Sequence, residues 1–380
     1  MKPYVLITAA ILFAATAAAQ RHKIGEINAE TEEGKFLQGI ATEEDAARKV
    51  TMMEEFVSKF GKHEAAGWVW SQLQPAYAKA GNHDKVLQAG KTLLALDAAD
   101  IDAAFANLKA SEAKKDADGV VNWAIVASDI ARKTAAAPKT DDQEADEYKH
   151  AVDFAKQVET YTEYALYAAA VNEQDPAKVL KLADTLEQRN PQGQYVPQIL
   201  PKYAWAARQG NAMPAAVAFG ERAYARDQVN EDLLLAMADH YMNAKNAEKA
   251  LLYSNKLVEL LGSKPKPEGL SDADWDKKKS AMIGLGHWMA GSAYAQQRNV
   301  AQVDKSFRAA LPYIKDNDQL LGPALFQLGL ANYQMGKGKN AAMMADAVRF
   351  TQQCAGIKGP MQAQAQKNLT VMRKETGRAK

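Results

Sequence analysis

The sequence predicts an all-α protein, and three observations predict it. Alanine is everywhere, with Leu, Lys, Gln, Glu and Met behind it, and these are the strong helix formers. No sustained Val/Ile/Thr alternation marks a strand. Proline is scarce among the 380 residues and is expected mostly between apolar blocks. A chain this long exceeds one ordinary core, so it reads as several domains or one extended array.

The first nineteen residues read as an export signal. Lys2 gives a short basic start, and Tyr4 to Phe13 is an apolar run of signal-peptide length. Ala17, Ala18 and Ala19 then precede Gln20, which fits cleavage after Ala19. The run is shorter than the roughly 20 apolar residues of a bilayer span. No later stretch approaches that length, so the mature chain is expected to be exported, periplasmic or extracellular, and without an integral membrane segment.

Charge narrows the partners. Lys and Arg number 47 against 46 Asp and Glu, and no basic stripe follows any segment, which speaks against a nucleic-acid partner held through phosphates. The one cysteine, Cys354, has no intrachain partner for a disulfide and reads as a small buried residue.

Long, alanine-rich helical chains call for a search for internal repeats. Gly291, Ala293 and Tyr294 give a G-x2-Y step, Val303 and Phe307 an A-x3-F-like step, and Ala310-Leu311 follows. Leu328-Gly329, Tyr333, the turn at Gly336 and Ala341 form a second such unit, its tyrosine one place late. Upstream, Trp70, Leu73 and Tyr77 precede the turn Gly81-Asn82, and Met237, Ala238 and Tyr241 precede Ala250. Gly210-Asn211 is another turn, followed by Ala215-x3-Phe219, and a unit opened by Leu166-Tyr167 closes on Pro191. Leu108, Val120 and Ala124 mark the faintest unit.

This pattern resembles the tetratricopeptide repeat family, of the exported bacterial type, whose 34-residue unit reads W-x2-L-G-x2-Y, A-x3-F, P. The resemblance implies an α-α superhelix, a right-handed solenoid of antiparallel helix pairs A and B, with about seven units. Small residues let A and B approach closely, and large ones fill the gaps between pairs. The expected organisation is a signal peptide (1–19), a polar leader and capping helix (20–66, the helix at Glu43–Phe60), and repeats over 67–261 with an insert near 135–160. A Pro/Gly/Lys-rich insert follows at 262–280, then C-terminal repeats and a capping helix, Pro360–Glu375, over 281–380. Both inserts are expected as loops or hinges. Ser271 is a helix start at the end of the second, and an extra amphipathic helix follows the first.

No catalytic constellation is visible. The six histidines form no H-x3-H or H-E-x2-H pair, so neither a metal nor a cofactor is expected. Gly336-Lys337-Gly338-Lys339 lacks the preceding strand of a phosphate loop and reads as a turn. The resemblance places a binding groove on the helix A face. Carried over unit by unit, it picks Tyr164, Asn172, Arg208, Asp239, Asn243, Trp288, Gln296 and Tyr333, with Lys79, Phe105, Lys109 and Glu112 nearer the N-terminus. Tyr161, Tyr164 and Tyr167 form a stripe on one helix that is either core or part of this face. The Lys/Asn clamp for a C-terminal carboxylate is not reproduced, since Ser71, Pro75, Phe105 and Tyr164 stand at those positions. The implied function is a non-catalytic scaffold that binds a protein or peptide partner. The alternative is a small-molecule or glycan binder using Trp288, Tyr333 and Tyr164 as stacking surfaces.

Overall fold

The computed structural model describes residues 22, 24, 28, 30–141, 143–209 and 213–378. The segment 1–19 expected as an export signal, Gln20, and the turn expected at Gly210-Asn211 lie outside the described residues. Seventeen helices follow one another among the described residues, with no strand, which is the all-α class expected from composition. The chain forms two compact units, the first Met1–Gln174 with Lys181–Tyr195, the second Asp175–Leu180 with Val196–Lys380. The insert at 262–280 lies inside the second unit.

The N-terminal end has one helix more than the sequence suggested. The expected leader contains α1 (Glu32–Thr42), capped by Thr31, before α2 (Ala46–Lys59), capped by Asp45. Leu37, Ile40, Met53 and Phe56 are buried against the first pair. The first pair is α3 (Ala66–Lys79) with α4 (His83–Leu96), and the second α5 (Ile101–Ala113) with α6 (Ala117–Ala136). Then come α7 (Ala145–Asn172) and α8 (Pro176–Arg189), and α9 (Tyr195–Gln209) and α10 (Met213–Ala225). In the second unit follow α11 (Glu231–Asn243) with α12 (Ala247–Ser263), α13 (Asp272–Gln296) with α14 (Val300–Ile314), and α15 (Asp318–Gly336) with α16 (Ala341–Gly356). The last helix, α17 (Gln362–Arg378), buries Ala365 and Met372.

The turn inside a pair has one recurring construction. A left-handed residue ends helix A and an Asn or Asp caps helix B. Gly81 has φ +70°, Lys115 +54°, Lys245 +57° and Arg298 +57°. The next residue, Asn82, Asp116, Asn246 or Asn299, donates its backbone N–H to the carbonyl five residues back, the Schellman closure. Its side chain accepts from the N–H three residues on, satisfying an orphan donor at the start of helix B. A turn this short sends helix B back along helix A, so each such pair is antiparallel.

Packing follows the pair order. Helix A of one pair also meets helix A of the next: α3 with α5 and α5 with α7 in the first unit, then α11, α13, α15 and α17 in the second. These are tandem helix pairs of the kind the tetratricopeptide resemblance implies. The small residues sit where helices approach closely. A Cβ on Gly291 would lie 2.9 Å from the ring of Phe307, and Phe307, Val303 and Ala310 are all buried. In the fourth unit the small buried residue beside Phe219 is Ala216; Ala215, named in the A-x3-F step, is exposed.

Each insert has a short stretch outside helix, between α6 and α7 and between α12 and α13, and the remainder of each extends helix A of the following pair. The amphipathic helix expected after residue 135 runs without a break into helix A of its unit, giving the 28-residue α7. The second insert starts α13 at Asp272, capped by Ser271, and α13 continues through Gln296. The stretch left between α12 and α13 is anchored at both ends on Glu231. Lys264 and Lys278 both donate to its carboxylate, which is 6% exposed. Proline also departs from expectation. Pro75, Pro201, Pro312 and Pro323 lie inside helices, where each removes one backbone donor that neighbouring packing must offset.

Candidate functional site

The richest cluster of aromatic side chains lies on the helix A layer of the first unit. Phe105 and Lys109 stand one turn apart on α5, so both face α7. On α7, Phe154, Tyr161, Tyr164 and Tyr167 follow at helical spacing. Tyr195, the first residue of α9, completes the set. The rings touch in sequence. Phe154 meets Phe105 at 6.1 Å between centroids, Phe105 meets Tyr161 at 5.1 Å, Tyr161 meets Tyr164 at 5.9 Å, and Tyr164 meets Tyr195 at 6.1 Å. Tyr167 stacks on Tyr195 at 5.1 Å and 21°. Successive rings from Phe105 to Tyr195 are otherwise tilted at 90°, 59° and 58°, so they enclose notches instead of one flat platform. Tyr164 is 45% exposed, and Val171, two turns further along α7, is exposed beyond it.

Polar groups tune this ladder. The Lys109 ammonium stands over two rings, 4.5 Å from the Phe105 centroid and 5.3 Å from that of Tyr161. Burial pushes its pKa down, and the Glu112 charge opposes that shift. The Tyr161 hydroxyl donates to Glu112 at 3.0 Å. Burial pushes the Glu112 carboxyl up, against the hydrogen bond from Tyr161 and the charge of Lys109.

The Tyr161 arrangement is one of four. Tyr77 donates to Glu54 at 2.8 Å, and Lys85 binds the same carboxylate while standing 5.1 Å above the Tyr77 ring. Tyr241 donates to Glu221 at 2.5 Å, and Lys249 binds that carboxylate and donates to the Tyr241 hydroxyl at 3.2 Å, 4.9 Å from the ring centroid. Tyr333 donates to Glu375 at 2.7 Å, and Lys337 donates both to that carboxylate at 3.0 Å and to the Tyr333 hydroxyl at 2.7 Å. Each time a phenol, a carboxylate and an ammonium meet, and the carboxylate comes from a helix beyond the tyrosine's own pair. Sequence reasoning identified the tyrosines but not these partners. In two cases the signal was present as a lysine eight residues after the tyrosine, at Lys85 and Lys249.

The residues expected to line a groove have diverse surroundings. Tyr164 is exposed on the ladder, and Asn172 is exposed at the end of the same helix, its amide bonded to the Ala168 carbonyl. In the second unit, Arg208 is exposed and 3.9 Å from Asp232. Asp239 and Asn243 are exposed neighbours on α11, bonded to each other at 3.3 Å. Gln296 is exposed at the end of α13. Trp288 is half-buried, its indole N–H donated to the Leu320 carbonyl at 2.9 Å and its ring edge-on to Phe307. Tyr333 is half-buried and tied to the last helix as described. Trp288 and Tyr333 therefore both have partners on neighbouring helices, Trp288 on α14 and α15 and Tyr333 on α17. Phe154 and Tyr195, which complete the ladder, were not anticipated. Tyr195 opens a different helix pair, and no spacing rule connects it to Tyr164.

Among the described residues, no group of three or more His, Cys, Asp or Glu side chains is placed to hold a metal ion. No helix among them is long and apolar enough to cross a membrane.

Fold and site together define a class: an all-α array of tandem helix pairs with an aromatic face on its helix A layer. No protein-family model matches the sequence, and no curated protein matches it. Among solved structures, the TPR domain of P58(IPK) is similar over 92% of this chain and 99% of that chain, at 11% identity and a TM-score of 0.26. A likeness that distant adds nothing to what the helix pairs themselves show.

Proposed function

We propose that this chain is a non-catalytic interaction array that binds a polypeptide partner on its helix A layer. The observation that supports the reading most directly is the run of rings from Phe105 through Tyr161 and Tyr164 to Tyr195. Aromatic side chains offer large contact area for little lost conformational freedom, and they dominate interface energetics. Tilted rings favour a peptide over a sugar, because side chains wedge between rings while a pyranose needs an open aromatic face for its C–H groups. The exposed Tyr164 supplies a hydroxyl as a polar partner for a peptide backbone.

We place the protein outside the cytoplasm, in the cell envelope or beyond it. The reading rests on Lys2, the apolar run Tyr4 to Phe13 and the small residues before Gln20. Mass spectrometry of the native protein is expected to find Gln20 at the N-terminus, and a retained Met1 in the soluble protein would overturn that placement.

The binding reading is tested by photocrosslinking from position 164 in envelope extract, with a matched probe at exposed Leu252 as control. A crosslinked polypeptide specific to position 164, and lost in Phe105→Ala, is the expected result. Equal labelling from both positions would dismiss the aromatic face as the site.

A further inference from the structure

The four tyrosine clasps show what this chain's own chemistry places on a tyrosine ring: a lysine ammonium, with a carboxylate close by. Lys85, Lys109, Lys249 and Lys337 stand 4.9–5.3 Å from the centroids of Tyr77, Tyr161, Tyr241 and Tyr333. Lys249 and Lys337 reach the hydroxyl end of their rings, donating to the Tyr241 and Tyr333 oxygens at 3.2 and 2.7 Å, whereas Lys109 stands closest to a ring centroid, 4.5 Å from that of Phe105. A cation is attracted both to the phenol oxygen and to the negative face of an aromatic ring.

Tyr164, Tyr167 and Tyr195 have two of those three parts. Three rings converge, and the Tyr164 and Tyr195 rings enclose a notch tilted at 58°. The carboxylate is Glu163, adjacent to Tyr164 on α7. It accepts from the Asn190 amide at 2.9 Å, in the turn that leads to Tyr195. Burial, then Tyr164 and the Glu163 charge, push the Tyr195 phenol up, which puts that negative charge within electrostatic reach of the ring. Among the described residues, no lysine or arginine stands over any of the three rings or pairs with Glu163, whereas Lys109 already covers the neighbouring Tyr161. Tyr164 is also the most exposed ring of the ladder.

We infer that the notch formed by Tyr164, Tyr167 and Tyr195 beside Glu163 receives a lysine side chain of the partner polypeptide. The inference rests on the reading of this face as a partner-binding surface and names the chemistry that the partner brings. Charge complementarity carries it. A neutral ligand would leave the Glu163 carboxylate without a cation, and an acidic one would oppose it. The ring would hold the ammonium on its face while the methylene stem lies along the apolar surface of the rings.

The test uses the whole chain with ring-labelled tyrosine, followed by NMR. The probes are acetyl-Gly-Lys-Gly-Lys-Gly-amide, the same peptide with both lysines Nε-acetylated, a hexaproline peptide, and cellohexaose. The expected result is a saturable shift of the Tyr164, Tyr167 and Tyr195 ring signals with the lysine peptide only, weakening as salt is raised. Tyr164→Ala should weaken that binding about tenfold or more, Tyr164→Phe less than about threefold, and Glu163→Gln several-fold, on the scale of a partly desolvated cation–π contact. Circular dichroism establishes that each variant is folded. If the acetylated or proline peptide moves the same rings equally, the surface binds peptide and the ammonium assignment falls alone. A response only to cellohexaose, or to no probe, would overturn both the assignment and the peptide-binding reading.

Discussion

The Tyr77 hydroxyl donates to the Glu54 carboxylate at 2.8 Å, joining α3 to α2 across the boundary between one helix pair and the segment before it. The same bond recurs between Tyr241 and Glu221, where α11 meets α10. The helix A tyrosine is therefore more than an apolar filler. Its ring packs inside the repeat while its hydroxyl ties the repeat to its predecessor.

Tyr241→Phe tests that tie with little change of shape. It leaves the Lys249–Glu221 ion pair in place and removes two hydrogen bonds of the phenol, the one donated to Glu221 and the one accepted from Lys249. The expected cost is about 0.5–1.5 kcal/mol in urea unfolding. A variant as stable as the parent would mean that water replaces these bonds at no cost.

Gly291 faces the Phe307 ring too closely for a side chain. A Cβ there would meet three ring atoms at 2.9–3.0 Å. Gly291→Leu is expected to lower stability by about 1–3 kcal/mol through overpacking. Gly262→Ala is the control, since nothing lies within 4 Å of its Cβ position. Similar thermal midpoints for the two variants would contradict the close approach of α13 and α14.

Trp288 should matter to the fold. Its indole N–H is held by the Leu320 carbonyl and its ring borders the core around Phe307. Trp288→Ala is expected to cost about 3 kcal/mol, as truncation of large packed aromatics does. Arg208→Ala, at an exposed position with a 3.9 Å ion pair, should change stability by less than about 1 kcal/mol. Scanning calorimetry of both variants reads the difference. An unchanged midpoint for Trp288→Ala, with partner binding lost, would return Trp288 to the groove.

Acid should loosen the second unit through Glu231. Burial alone would push its carboxyl up. Hydrogen bonds from Lys264, its own backbone N–H and Lys278, with the Lys264 charge, outweigh burial and hold it below the ordinary 4.5. A carboxylate lowered in the folded state contributes stability above its unfolded pKa, and that contribution fades as pH falls through the folded value. Glu54 and Glu221 are lowered too, chiefly by Lys85 and Lys249, and act in the same direction. Stability is thus expected to fall below about pH 4.5, and Glu231→Gln should flatten that fall. At neutral pH the same variant should cost about 1–3 kcal/mol, because two lysines lose their shared acceptor. An unaltered pH profile in Glu231→Gln would remove Glu231 from the account.

Cys354 should be inert in the native protein. It is 1% exposed, its thiol lies 3.3 Å from the Gly322 carbonyl, and burial pushes its pKa up to about 11. The thiolate is the reactive form, so little of it exists at pH 8. Reaction with a disulfide reagent is expected to be far slower than in denaturant. Equal rates in the two conditions would show that α16 opens readily.

The helical class was legible in composition, and the pair phase in short steps such as Gly291-x2-Tyr294 and Gly81-Asn82. Both are local properties. Helix propensity acts residue by residue, and a turn is chosen by the few residues within it. Of the four turns at Gly81, Lys115, Lys245 and Arg298, the last three were harder to see, because Lys115, Lys245 and Arg298 occupy the left-handed position that glycine usually marks. The Asn or Asp after each was the more dependable sign. Composition could not show that the helix after each insert runs unbroken into helix A, giving α7 and α13, since continuous helix and helix–loop–helix can share one amphipathic pattern. Only tertiary structure decided which aromatic residues are open and which are engaged. Trp288 and Tyr164 look alike as helix A aromatics, yet one donates to a carbonyl thirty-two residues away and the other stays 45% exposed. Tyr195 joins Tyr164 from another helix pair, and Glu221 reaches Tyr241 from the preceding helix. Such partners are set by how one pair stacks on the next, a long-range packing result that no local spacing along the chain encodes.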